Sequence, residues 1–198
     1  CQTPIHRTIK HTQGMIVSFC LLTILSPLLL LIALLIKLES PGPVFYRQER
    51  VGFNGKVFRL LKFRSMIAGA ERASGPTFAQ EDDPRITRVG RVIRKLRLDE
   101  VPQFINIFKG DMDMVGPRPE RPVFVKEMEQ SIPYYNLRHS VRPGLTGWAQ
   151  VNYSYGDSMD ASKEKLQYDL YYVKHSTWLM DLWIMFLTIK EVLFARGR

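Results

Sequence analysis

The chain opens on a polar stretch and then runs from Met15 to Ile36 without a single charged residue. As straight helix that run measures roughly 33 Å, against a bilayer hydrocarbon core of ~30 Å. Its many Leu and Ile residues each favour insertion by a few tenths of a kcal/mol. It is too long for a cleaved signal peptide, and no small-residue cleavage site follows it. Length alone describes a simple transmembrane helix, but two details argue for another arrangement. Ser26-Pro27 sits near the middle, where proline removes a backbone donor and kinks the helix, and the Ser26 hydroxyl is placed to satisfy a freed carbonyl. Both flanks are basic, with Arg7 and Lys10 ahead and Lys37, Arg47 and Arg50 behind. The positive-inside rule asks each flank to stay cytoplasmic. A kinked helix that enters and leaves by the same face satisfies both, so the expectation is a re-entrant helical hairpin.

Pro41-Gly42-Pro43 ends the apolar element. Val44–Val51 and Lys56–Phe63 then read as strands joined by Phe53-Asn54-Gly55, and Asn-Gly between β-rich runs is a strong hairpin signal. Ile67–Ala73 reads as a short helix. Ser74–Pro84, with Gly75-Pro76 and Glu81-Asp82-Asp83, reads as a polar loop. Val89–Leu98 has helical spacing, and a further helix is expected from near Asp99 through Pro102 to Phe108, stopped by Gly110. Gly116-Pro117-Arg118-Pro119 and Arg142-Pro143-Gly144 through Gly147 read as rigid loops. Val123–Gln130, Ala161–Tyr172 and Trp178–Phe194 read as helices. The last carries Trp178, Trp183, Phe186 and Phe194 together with Asp181, Lys190 and Glu191. That mixture is too charged to span a bilayer. It suits a helix lying at the interface, with a core helix of a soluble domain as the plainer reading.

The 198 residues suffice for one compact core, and the net charge of +9 calls for an anionic partner: nucleic acid, an anionic lipid surface or a phosphorylated small substrate. Cys20 lies inside the apolar run and no CxxC pair exists, so neither a disulfide framework nor a zinc site is expected.

The densest candidate chemistry is Arg94-Lys95-Leu96-Arg97-Leu98-Asp99-Glu100, which brings cations up to an acidic pair at an expected helix start. A helix N-terminus favours anions, although Asp99 as a simple N-cap accounts for the same residues. Lys62, Arg64, Arg94, Arg118 and Arg142 all lie in segments stiffened by Pro, Gly or strand structure, as phosphate recognition by arginine requires. A carboxylate among them could coordinate a divalent ion or attack phosphorus. Attack on a diphosphate meets like-charge repulsion of about 4 kcal/mol per charge pair at 4 Å and an effective dielectric near 20, roughly three decades of rate. Cations must remove that repulsion.

Several long motifs stand in order along nearly the whole chain, from about Thr8 to Phe194: SPLLLLIALLIKLESPGPVFYRQERVG, KVFRLLKFRSM, LRLDEVPQ, KGDMDMVGPRPERP and RPGLTGWAQVNYSYG. On these the chain resembles the monotopic phosphoglycosyl transferases, or bacterial sugar transferases. The resemblance implies a re-entrant membrane helix broken at Ser26-Pro27 and a catalytic Asp99-Glu100 dyad. Asp99 would attack the β-phosphate of a UDP-sugar, release UMP and hold a covalent sugar phosphate, which polyprenyl phosphate then removes. It implies Mg²⁺, contacted by Asp99, with Glu100 assisting the metal or handling a proton. Phosphate binding falls to Lys62, Arg94, Arg118 and Arg142, matching the family's basic motif positions, with Arg64 beside Lys62 in the KFRS motif. The Ser131–Tyr155 segment is similar to the exopolysaccharide-initiating branch, whose members often carry further N-terminal membrane helices and a regulatory domain. The absence of an initiator Met agrees with such a part having been removed.

The expected fold is therefore α/β, mainly helical with a small β-hairpin: a monotopic membrane protein with an N-terminal re-entrant helix and amphipathic interfacial helices. Residues 1–40 form the N-terminal segment and membrane helix, and residues 41–198 a cytoplasmic catalytic domain at the bacterial inner membrane. Expected partners are a UDP-sugar, polyprenyl phosphate and the bilayer, with a homo-oligomer admissible and nucleic acid excluded for want of a nucleic-acid motif. Two other functions remain open on charge alone, a membrane-anchored nucleic-acid or lipid-binding module and a phosphohydrolase that uses water as second acceptor. Dependence of UMP release on polyprenyl phosphate separates the hydrolase from the transferase.

Overall fold

A computed structural model describes residues 4–70, 83–153 and 159–193. The protein is mainly helical. Helix α1 spans Pro4–Glu39, strand β1 Phe45–Val51, β2 Val57–Phe63, α2 Arg88–Lys95, α3 Gln103–Lys109, β3 Asp113–Val115, α4 Pro122–Ser131, β4 Gly144–Thr146, α5 Trp148–Asn152, α6 Met159–His175 and α7 Trp178–Leu193.

Among the described residues one helix is long and apolar enough to cross a membrane, over Arg7–Glu39. It begins well before the apolar run and continues through Ser26-Pro27 as one element, so a hairpin of two separate helices is not formed. Ser26 Oγ donates to the Thr23 carbonyl at 2.8 Å, the group that Pro27 strands by lacking an N–H. Residues Gly14, Ser18, Ile32 and Ile36 are buried, at helical spacing along one face. Leu21 and Leu22 pack with Leu60, Phe104, Ile107 and Met112, while Ile32 and Ile36 pack with Phe63 and Ile93. The rest of the helix surface stays exposed and apolar, from Ile16 to Leu38.

Both ends of α1 are fastened to the domain. Lys10 pairs with Asp181 at 2.9 Å and contacts the Tyr172 hydroxyl, which itself donates to Asp181 at 2.6 Å. At the other end Arg64 donates to the carbonyls of Ile36, Ser40 and Pro41 and to Ser40 Oγ, which a helix C-terminus otherwise leaves unsatisfied. The Glu39 carboxylate accepts from the first amides of α2, Arg88 N and Val89 N, where a negative charge suits the helix dipole.

β1 and β2 form the expected antiparallel hairpin, with Phe45 opposite Phe63 and Val51 opposite Val57. Its tip holds Asn54 at φ 52°, a left-handed conformation that asparagine tolerates. The helix expected over Ile67–Ala73 is a turn through Ala70, and residues 71–73 lie outside the described residues, as does most of the Ser74–Pro84 loop. Asp83, read as part of that polar loop, is instead buried and held by Arg85. Asp99 does not cap the following helix: Leu98–Glu100 is a separate 3-10 turn and Pro102 stands at the N-cap of α3. Gly110 ends α3 at φ 89°.

The glycine-bearing loop after Arg142 contains a strand. β4 pairs in parallel with β3, Asp113 opposite Gly144 and Val115 opposite Thr146. A Cβ on Gly144 would overlap the backbone of Gly116 and Thr146. This close approach holds the Gly116-Pro117-Arg118 turn, because Gly144 N donates to Pro117 O at 3.0 Å. Gly144→Ala is expected to cost at least ~1–3 kcal/mol through overpacking, seen as a lower midpoint in thermal or denaturant unfolding; an unchanged midpoint would show that the two strands can part freely.

Helix α7 is amphipathic in the inverse sense. Its buried face carries Ile184 and Asp181, while Trp178, Leu179, Leu182, Trp183, Phe186 and Ile189 are exposed. A core helix would bury those rings; a face of this kind suits the headgroup region of a bilayer.

Candidate active site

Three chain segments meet around the Asp99-Glu100 pair. β2 delivers Lys62 near its end, the 3-10 turn delivers the carboxylates, and the Gly116-Pro119 turn delivers Arg118. The turn is set by Arg97, whose φ of 57° is left-handed without being glycine, a strained backbone two residues before Asp99. Glu100 Oε1 accepts from Lys62 Nζ at 2.7 Å and from Arg118 Nη2 at 2.7 Å. Burial alone would raise the Glu100 pKa, but Arg118 and then Lys62 outweigh it and hold the carboxyl well below its usual range. Glu100 is thus an anchored anion at neutral pH.

Asp99 is treated differently. Among the described residues no hydrogen bond or ion pair falls on its carboxylate. Its pKa is raised, first by burial and then by the Glu100 charge, with Lys62, Arg94 and Arg118 pulling the other way. Adjacent carboxylates with pKa values pushed apart have separate roles. The one held low fixes two cations; the one held high is unencumbered and more nucleophilic once ionised. Arg94, in the last turn of α2, reaches Asp99 through its charge.

The remaining basic candidates make other contacts. Arg64 is buried and caps α1, as described above. The cause is local: β2 ends at Phe63, so Arg64 leaves the strand and does not share the face of Lys62. Arg142 lies 4.0 Å from Asp113 Oδ1 and over the Phe53 ring at 6.0 Å. Ser26 and Pro27 lie in the exposed middle of α1.

Two arginines outside the phosphate-binding candidates support Arg118. Arg138 Nη2 donates to the Arg118 carbonyl at 2.8 Å, Nη1 donates to Tyr135 Oη at 2.7 Å, and the guanidinium pairs with buried Asp169 at 2.7 Å. Burial pushes Asp169 up and would pull Arg138 down, but Asp169 and Tyr135 outweigh it and raise Arg138. Two buried groups at that separation form an ionised pair at neutral pH. Arg50, from β1, donates to the Pro119 carbonyl at 2.9 Å and reaches Glu120 at 3.4 Å. Arg50 and Arg138 therefore clamp the turn on both sides of Arg118. Only their positions 50 and 138 in long-range contacts reveal this; their local sequence does not.

Among the described residues no group of three or more His, Cys, Asp or Glu could cage a metal. That donor set still fits magnesium, which is commonly held by one or two carboxylates plus substrate phosphates and water. Asp99 is the carboxylate left available for it, since the hydrogen bonds on Glu100 come from two cations.

Compared with known proteins, residues 5–195 match the family described as Bacterial sugar transferase. A UDP-N-acetylgalactosamine-undecaprenyl-phosphate N-acetylgalactosaminephosphotransferase of Aeromonas hydrophila is 47% identical over 195 residues, covering 98% of this chain and 46% of that protein. A UDP-glucose:undecaprenyl-phosphate glucose-1-phosphate transferase of Escherichia coli K12 is 41% identical over 187 residues, covering 93% of this chain and 40% of that protein. The exopolysaccharide production protein PSS of Rhizobium leguminosarum bv. phaseoli is 39% identical over 196 residues, covering 96% of this chain and 97% of that protein. The chain thus spans under half the length of the first two relatives and nearly all of the third.

Proposed function

Because the chain belongs to the bacterial sugar transferase family, we propose that it transfers a sugar 1-phosphate from a UDP-sugar to polyprenyl phosphate, releasing UMP, as the first membrane step of exopolysaccharide or glycoconjugate assembly. The observation that carries the reading is the asymmetric dyad: Glu100 bound twice by cations, Asp99 unbound and raised beside it. A passive phosphate-binding module has no need of a carboxylate kept free at such a place; a hydrolase using the same Asp99 would need it too, and differs from the transferase only in taking water as second acceptor.

The chemistry runs in two displacements. An Asp99 carboxylate oxygen attacks the β-phosphorus of the donor, a P–O bond forms, and the bond to the UMP oxygen breaks with its electron pair leaving on UMP. Lys62, Arg94 and Arg118 offset the charge gathered at the diphosphate, several kcal/mol of otherwise prohibitive repulsion. An oxygen of polyprenyl phosphate then attacks the same phosphorus, and the acyl phosphate bond breaks to return the Asp99 carboxylate. When bound, Mg²⁺ would neutralise phosphate charge during transfer, with Asp99 as its protein ligand. Glu100 acts by holding Lys62 and Arg118 in place.

The membrane reading belongs to the same proposal. The exposed apolar surface of α1 and the exposed rings of α7 support association with a bilayer, and the basic flanks of α1 favour both its ends on one side, the cytoplasmic face of the bacterial inner membrane. Because α1 continues through Pro27, with Ser26 Oγ replacing the one hydrogen bond the proline cannot make, re-entry relies on a bend of one helix.

The test is a donor-only incubation. Protein mixed with UDP-sugar and no lipid acceptor is expected to gain one sugar phosphate on Asp99 by peptide mass spectrometry, with one UMP released, and to lose it on adding polyprenyl phosphate. Turnover without that adduct would refute the two-step route. UMP release that ignores the lipid would favour hydrolysis.

A further inference from the structure

A second basic site lies across the β-hairpin from the dyad. The β1–β2 register sets Arg47 opposite Leu61 and Glu49 opposite Arg59. Alternation along a strand puts these side chains on the face away from Lys62. That face and α3 enclose a cavity of about 270 Å³ lined by Arg47, Arg59, Leu61, Ile105, Asn106 and Lys109.

Three of the six lining residues are cations, and none is a carboxylate. All three cations are exposed; elsewhere Lys62 and Arg118 are paired with Glu100, Arg85 with Asp83 and Arg138 with Asp169. Among the described residues Arg47, Arg59 and Lys109 have no such side-chain partner, and Glu49, although opposite Arg59, forms no ion pair with it. Asn106 is fully engaged and fixes the wall: its Oδ1 accepts from Leu61 N at 2.9 Å, and its Nδ2 donates to Arg59 O at 2.8 Å. A concave, rigid wall with three unmatched cations attracts an oxyanion.

The surroundings narrow the class of anion. Phe108, next to Lys109, packs on Phe19 of α1 with ring centroids 6.1 Å apart, and both rings are exposed. Lys109 thus stands one position from a ring that joins the exposed apolar surface of α1, which includes Ile16 and Ile24. Its volume falls just below the ~300 Å³ at which pockets begin to hold drug-sized ligands, too small for a nucleotide sugar. We propose that this cavity binds the phosphodiester headgroup of an anionic phospholipid, whose acyl chains lie along α1. This rests on the membrane reading of α1.

The test uses purified full chain and vesicles of phosphatidylglycerol mixed with phosphatidylcholine, or of phosphatidylcholine alone, in flotation. Wild type is expected to prefer the anionic vesicles. The Arg47→Gln/Arg59→Gln/Lys109→Gln variant is expected to lose that preference by on the order of 10²-fold, from the usual contribution of each cation near an anionic surface, while releasing UMP normally in detergent. A Lys126→Gln/Lys163→Gln/Lys174→Gln variant, equal in charge lost but on α4 and α6, is expected to keep the preference. Lys109→Gln alone, at an exposed position, gives a milder loss of about 5-fold and serves if the triple variant fails to fold. Equal losses in the two triple variants, or none in the first, would overturn the proposal. So would wild type floating equally on both vesicles while inorganic phosphate raises its melting temperature, which would make the ligand a soluble phosphate. Wild type that floats on neither would remove the membrane reading and this proposal together, whereas equal floating on both removes only this one.

Discussion

Asp99→Asn is expected to abolish UMP release, by on the order of 10⁴-fold, in a protein that remains folded. Asparagine nearly matches aspartate in shape but its amide does not attack phosphorus. The pKa directions sharpen the expectation. The Asp99 carboxyl is harder to ionise in the folded chain than in the unfolded one, through burial and then Glu100. Its ionisation therefore costs stability as pH rises through the folded pKa, and asparagine removes that cost. The variant should melt no lower than wild type at neutral pH. Glu100→Gln should behave in the opposite way. The folded pKa of Glu100 is depressed, so its ion pairs contribute stability above the unfolded pKa, lost as pH falls through the folded one. That variant should melt lower at neutral pH and converge with wild type in acid. Near-normal turnover by well-folded Asp99→Asn protein would take this residue out of the chemistry.

Asp169→Ala is expected to be among the most destabilising single changes in the domain. It strands the Arg138 guanidinium, whose side chain is only 6% exposed, without its counter-charge. Removing one partner of a buried pair costs about 3–5 kcal/mol, which in a chain of this size lowers the melting temperature by roughly 10 °C. A paired replacement, Asp169→Leu with Arg138→Met, removes both charges and should recover most of that loss. It should not recover activity, because the Arg118 carbonyl loses the donor that fixes it. If the paired variant regains full kcat/KM, Arg138 contributes to stability alone. If Asp169→Ala melts like wild type, the pair is not ionised in the way its geometry describes.

Local signals were the legible ones. The hairpin follows from Phe53-Asn54-Gly55 between two β-rich runs, and the contact from Ser26 to Thr23 from a proline four residues beyond that carbonyl. The dyad stood out locally only as a carboxylate pair beside cations, which an N-cap explains as well, and its role came from the family resemblance; the same inventory of stiff cations held Arg64 and Arg142 beside Lys62, Arg94 and Arg118. The hidden features depend on distance along the chain or on missing contrast. The packing face of α1 has no polar counterpart, so Gly14, Ser18, Ile32 and Ile36 are buried in a helix whose opposite face is equally apolar. β4 is three residues long and draws its identity from β3, some thirty positions earlier. Arg64 and Lys62 look alike in sequence, yet the strand stops between them. Arg138 and Asp169 resemble surface charges until the fold buries them against each other.

The double fastening of α1, by Lys10 to Asp181 and by Arg64 to Ser40, makes the helix part of the domain's own interior. Trimming the chain at residue 41 to obtain a water-soluble enzyme would uncover Phe63, Ile93, Phe104, Ile107 and Met112 at once. The product would clump. A detergent-free form is better sought by recolouring the outward surface of α1 with polar side chains at Ile16, Ile24, Leu31 and Leu38, leaving its inward stripe untouched. The same rigidity means that a four-residue insertion ahead of Pro27 would shift one fastening by about a helical turn relative to the other, so the two ties hold only at the present length of helix between them.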